Sequence, residues 1–140
     1  MFLWMSIIFQ FSSQVAEHSK QVSKGVTEVV VETVQRMAPN VGLEPEHLHH
    51  IVRKNAHFFL YFFLGVLVIH ALKMIGVAWR RGWILALLIC ILYAISDEVH
   101  QMFVPGRGPQ VRDVLIDGAG SLTGIGLYLL FGKLVRIRKG

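Results

Sequence analysis

Residues 56–75 read AHFFLYFFLGVLVIHALKMI, an almost unbroken apolar run. A helix crossing the ~30 Å hydrocarbon core of a bilayer needs about 20 such residues. This run meets that length, and its reading decides the fold. Two more runs follow: WILALLICILYAISDEV at 83–99 and VLIDGAGSLTGIGLYLLF at 114–131. The whole chain agrees, being 140 residues, 54% hydrophobic and only 16% charged. Its mean hydropathy is +0.53. Soluble domains run near 45–50% apolar and about 25% charged. The same balance excludes intrinsic disorder, which needs low hydrophobicity. At this length we expect a single domain, 1–140.

The expected architecture is an all-α, polytopic helical membrane bundle. Its apolar helices cover about 1–14, 52–75, 82–102 and 112–133. The first, MFLWMSIIFQF at 1–11, lacks a basic leader and a small-residue cleavage site, so it is a poor signal peptide. It is long enough for only about half a crossing. Two readings stay open: the outer half of a fourth spanning helix that begins further upstream, and a short interfacial anchor. Residues 21–37 place Val22, Val26, Val29, Val30, Val34 and Met37 at helical spacing. We read an amphipathic, extracytoplasmic helix over about 20–38. A new helix should begin at Pro45, a favoured first-turn residue, and run unbroken through His57 and Tyr61. The lone Cys90 excludes a disulfide framework.

The net charge of +5 is informative through its placement. The loop after the first long run carries Lys73, Arg80 and Arg81 and no acid; the tail carries Lys133, Arg136, Arg138 and Lys139 and no acid. Cytoplasmic loops are enriched in Lys and Arg. Both segments, including the C-terminus, are therefore expected inside, in a multi-pass protein of the bacterial cytoplasmic membrane. The basic excess is then an orientation signal, and nucleic acid is not an expected partner.

That topology sends the unusual polar residues to the other, outward face. Arg53, His57 and Tyr61 form one helical stripe, with Lys54 beside it. Tyr93, Asp97 and Gln101 form another, with Glu98 and His100 adjacent. Arg107 and Arg112 flank the next turn, and Asp113 and Asp117 share a face of the last helix. From Trp83, Asp97 lies ~21 Å along its helix. That depth is still inside the hydrocarbon core, where an ionisable group is by default a functional-site candidate.

The candidate site divides by chemistry. Arg53, Lys54, Arg107 and Arg112 suit a phosphate or carboxylate, with Arg offering bidentate contacts. Tyr61, Gln101 and Asp117 complete the substrate-binding set. Asp97, Glu98, His100, His57 and Asp113 form the acid–base set. Asp97, Glu98, Asp113 and Asp117 are also candidate ligands for a divalent cation, Mg²⁺ or Mn²⁺, because oxygen donors favour hard ions. The expected partner is a membrane lipid headgroup or a lipid-linked cell-wall precursor. Catalysis and plain binding fit these parts alike. A non-catalytic protein that binds or shields a precursor stays open, as does a structural subunit whose charges only form an ion-pair network. Oligomeric state is not legible.

Other features carry less. His47, His49 and His50 lack a clear ligand set and read as a solvated helix face. His70 should be hydrogen-bonded within the bundle. Gly120 and Gly124 form a G-x-x-x-G pair, which permits close helix packing within this chain. Phe58, Phe59, Phe62 and Phe63 read as lipid-facing or core-filling side chains. No phosphate loop, nucleophile elbow or Cys–His zinc pattern is present.

Together these residues resemble the VanZ-like family of small bacterial integral membrane proteins. The resemblance rests on SSQ at 12–14, RKNAHFFLYFFLG at 53–65 and YAISDEVHQMFVPGRGPQVRDVLIDGAGSLTG at 93–124. As an ordered set, R-K-x-x-H-x-x-x-Y, D-E-x-H-Q and R-D-x-x-x-D are specific. The family takes its name from a component of glycopeptide-resistance clusters associated with low-level teicoplanin resistance. The resemblance thus implies a cell-envelope role and a link to glycopeptide tolerance in some members. Most relatives lie outside such clusters. Relatives usually carry a full spanning helix before SSQ, and this chain has the short 1–11 segment there.

Overall fold

The computed structural model describes residues 1–12, 45–104 and 110–138. Four helices make up the described chain: α1 (Phe2–Ser12), α2 (Pro45–Met74), α3 (Trp79–Gln101) and α4 (Val111–Arg138). No strand occurs among the described residues. The segment expected to form the amphipathic helix, 20–38, lies outside them.

Three of these helices are long and apolar enough to cross a membrane, over Ile51–Met74, Arg81–Gln101 and Val111–Leu134. α1 has 11 residues, or roughly 16 Å. Each apolar helix was expected within a few residues of its observed bounds. The larger departures are at the start of α2, where the helix begins at Pro45 ahead of the apolar part, and at the end of α4, which continues to Arg138. α2 does begin at Pro45 and runs unbroken past Tyr61.

Leu92, Leu115 and Phe131 each expose more than half of their surface, at 57%, 68% and 62%. So large an apolar exterior is foreign to a soluble monomer and natural for a bundle facing lipid. Phe59 and Phe63 join that exterior. The core is narrow, with Ile8, Tyr61, Leu64, Val68, Cys90, Ala94 and Ile125 at its centre.

The most extensive interface joins α2 and α4, which run parallel. A Cβ added at Gly120 would strike the carbonyl oxygen of Phe58, and one at Gly124 that of Phe62. Gly65 meets the backbone of Ser121 in the same way, and Ser121 Oγ donates to the Tyr61 carbonyl at 3.2 Å. The G-x-x-x-G pair is therefore consumed by packing within the chain, as its spacing suggested. Small residues are what lipid-embedded helices use to approach, because lipid supplies no hydrophobic drive between them.

α3 returns antiparallel between them. The turn starts with a Schellman closure: Val77 N–H bonds to Leu72 O at 3.0 Å and Gly76 N–H to Lys73 O at 3.1 Å. Gly76 takes φ +81°, which a residue without Cβ adopts cheaply. α1 runs parallel to α3 and is tied at both neighbours. Trp4 Nε1 donates to Leu60 O at 2.9 Å, and Tyr93 Oη donates to Met5 O at 2.6 Å.

These contacts predict different outcomes for two glycines on α4. Gly124→Ala should lower stability by about 1–3 kcal/mol through overpacking. Gly126, where an added Cβ meets nothing within 4 Å, should tolerate Ala within about 0.5 kcal/mol. Thermal unfolding of both variants in one detergent checks the contrast.

Candidate functional site

The polar residues converge at the end of the bundle where α1 and α3 finish and α4 begins. Helical periodicity builds the two stripes, and the register of α2 against α3 makes them face each other. Arg53 Nη2 reaches Gln101 Oε1 at 3.5 Å, and two turns deeper the rings of Tyr61 and Tyr93 lie 6.1 Å apart. An antiparallel pair aligned at both points must hold Asp97 between them.

Asp97 is 3% exposed and Gln101 is 1% exposed. The Gln101 amide is the hub. Its Nε2 donates to Ser12 Oγ at 2.9 Å and to Asp97 Oδ2 at 3.3 Å, while its Oε1 faces Arg53. Ser12, at the end of α1, also hydrogen-bonds Asp97. α1 thereby closes one side of the site. Phe9 adds to that wall by stacking on His100, with ring centroids 4.3 Å apart and planes at 11°.

The α2–α4 interface holds the second half. Lys54 Nζ lies 3.4 Å from Asp113 Oδ1. One turn deeper, His57 Nδ1 lies 3.6 Å from Asp117 Oδ1, an ion pair when the imidazole is protonated. Asp117 is 1% exposed. Tyr61 sits between the halves, fully buried and close enough to feel the charges of both Asp97 and Asp117.

Several polar atoms in this space have no hydrogen-bond partner among the described residues: Tyr61 Oη, Asp97 Oδ1, Asp117 Oδ1 and His100 Nε2. Buried polar groups are nearly always satisfied, so each such atom calls for an explanation. A bound polar molecule or water would supply the missing bonds.

The remaining candidates sort differently. Glu98 is buried and accepts the Gln110 backbone N–H at 2.7 Å, so it ties α3 to the residue preceding α4. Arg112 is exposed at the start of α4. Arg107 lies outside the described residues. No three His, Cys, Asp or Glu side chains among the described residues are placed to hold a metal ion. The four carboxylates expected as a set are spread over separate partners: Gln101 for Asp97, the Gln110 backbone for Glu98, Lys54 for Asp113 and His57 for Asp117.

A family model, VanZ/LLP1, matches residues 1–132, which take in the first two spans and most of α4. The chain belongs to the VanZ/LLP1 family. No curated protein and no solved structure matches it significantly. The VanZ/LLP1 match begins at residue 1, so it takes in α1 and the Ser12 that bonds Gln101.

Sequence reasoning passed over Ser12 and Phe9 as site residues. Ser12 had a signal, being the first residue of SSQ. Phe9 had none, because its stacking on His100 depends only on where α1 docks. Tyr93 belonged to the right stripe, but its hydroxyl serves the Met5 carbonyl. His70 does bond within the bundle, its Nδ1 lying 2.9 Å from Tyr128 Oη.

Replacing the hub tests this geometry. Gln101→Leu removes partners from Ser12, Asp97 and Arg53 together and should cost about 1–3 kcal/mol. Arg112→Gln, at an exposed position, should stay within about 0.5 kcal/mol. Unfolding midpoints of the detergent-purified variants give the comparison.

Proposed function

We propose that this VanZ/LLP1 chain binds the headgroup of a membrane lipid, or of a lipid-linked envelope precursor, in the polar end of its bundle. The reading places that end outward in the bacterial cytoplasmic membrane and the C-terminus inside. The observation that carries it is the pair of enclosed polar atoms without a hydrogen-bond partner among the described residues, Tyr61 Oη and Asp97 Oδ1, beside Arg53 and the His57–Asp117 pair. Unsatisfied polar groups in a low-dielectric interior are costly, and function is the usual reason they persist. A headgroup offers both things the site lacks. Its hydroxyl or ammonium hydrogens would satisfy the carboxylates, and its phosphate would meet Arg53. The described partner of Arg53 is a neutral amide, so that contact leaves its charge uncompensated.

The same groups could move a proton on a bound headgroup. His57 paired with Asp117 is a positioned acid–base couple, and Tyr61 is a buried donor next to it. A second reading, in which part of the cluster is structural, is favoured at two places. Lys54–Asp113 fastens α2 to α4, and Glu98 fastens the α3–α4 connection through Gln110.

Mass spectrometry of lipids co-purifying with the protein tests the reading. Wild type should carry one lipid class well above its share of the membrane. Asp97→Asn and Arg53→Gln, still accumulating normally, should each reduce that class about tenfold, the value of a charge-assisted hydrogen bond. A lipid profile matching the bulk membrane would sink the idea. Orientation has its own check: alkaline phosphatase fused to the C-terminus should be inactive, and activity there would invert the topology.

A further inference from the structure

The opposite end of the bundle from the polar cluster holds a cavity. The ends of α2, α3 and α4 enclose about 490 Å³, with Ile69, Val77, Trp79 and Leu129 as apolar walls and Lys73 and Lys133 as the charged groups. Lys73 Nζ lies 5.8 Å from the centre of the Trp79 ring and 5.2 Å from that of Tyr128. It lies also 3.7 Å from where a Cβ on Gly132 would be, so its ammonium sits against α4, and Lys133 lines the same cavity.

Two ammonium groups are thus gathered in one partly apolar cavity. Among the described residues no acid lies near them: residues 47–96 and 118–138, which include every segment lining the cavity, contain no Asp or Glu. Like charges at such a place repel unless an anion comes between them. The ring quadrupoles of Trp79 and Tyr128 hold Lys73 in position but do not neutralise it.

We infer that this cavity binds an anionic phospholipid, its phosphate between Lys73 and Lys133 and its acyl chain along Ile69 and Leu129. A lipid is favoured over free phosphate by the surroundings. The walls are apolar, and Met74, Ile75 and Phe131 at the same end expose 75%, 76% and 62% of their surfaces. Basic pockets between spanning helices with aromatic neighbours are the arrangement that captures anionic headgroups. This site stands independently of the headgroup reading at the other end.

Native mass spectrometry of the full chain in neutral detergent tests the inference, with phosphatidylglycerol, phosphatidylcholine and inorganic phosphate as probes. Wild type should retain phosphatidylglycerol in preference to phosphatidylcholine. Lys73→Gln/Lys133→Gln should weaken phosphatidylglycerol binding about thirtyfold, and Lys73→Gln alone about fivefold. Lys73→Arg/Lys133→Arg should keep it, which separates lost charge from lost fold. Arg81→Gln, at the same end but outside the cavity lining, should leave it unchanged. Equal retention of the two lipids would overturn the proposal. So would binding that survives the loss of both lysines, an equal effect from Arg81→Gln, or displacement of the lipid by millimolar phosphate.

Discussion

The backbone of α2 at Phe58 and Phe62 touches the backbone of α4 at Gly120 and Gly124, and the rest of the molecule depends on that contact. In lipid, helices gain little from merely hiding apolar side chains from one another. They gain from close van der Waals fit and from the few polar bonds that fit permits. Here the approach is tight enough for Ser121 to bond a carbonyl of the neighbouring helix. It also fixes the parallel register that sets Lys54 against Asp113 and His57 against Asp117. A helix pair separated by one more methyl layer would leave Asp113 and Asp117 facing Lys54 and His57 across a gap.

α3 and α1 then build a pair of ionic contacts into a buried polar cluster. α3 contributes Asp97 and Gln101 from one stripe, and α1 closes the side through Ser12 and Phe9. Neither could do so without anchors elsewhere. Tyr93 and Trp4 spend their polar atoms on main-chain carbonyls of other helices, which fixes the height of α1 against the bundle. The buried acids are thus held by geometry set several residues away from them.

The elements themselves were plain in the sequence because apolar length and helical spacing are local properties. The runs at 83–99 and 114–131 lie inside observed helices, the run at 56–75 does so up to Met74, and Pro45 marked a true start. The gathering of polar side chains at one end was legible for a similar reason: charge placement ordered the helix ends, and i+4 stripes selected the inward face. What was not legible was pairing. Glu98 and Asp97 are neighbours of the same chemistry, yet one accepts a backbone N–H beyond its helix and the other accepts from the Gln101 side chain within it. That difference arises from tertiary register, which no local pattern encodes. Phe9 against His100 is of the same kind.

The alternation of helix direction has an electrostatic consequence. α2 and α4 point their amide dipoles one way, and α3 and α1 point theirs the other. The N-terminal end of α4 and the C-terminal ends of α1 and α3 therefore meet at the polar cluster, while α2 begins further out at Pro45, and the opposite fields partly offset within a turn or so. Unlike the anion sites built at a lone helix N-terminus, this one owes its potential to side chains. For the proposed headgroup, selectivity would then rest on Arg53, His57, Asp97 and Asp117 individually, so single substitutions would retune it without rebuilding the bundle.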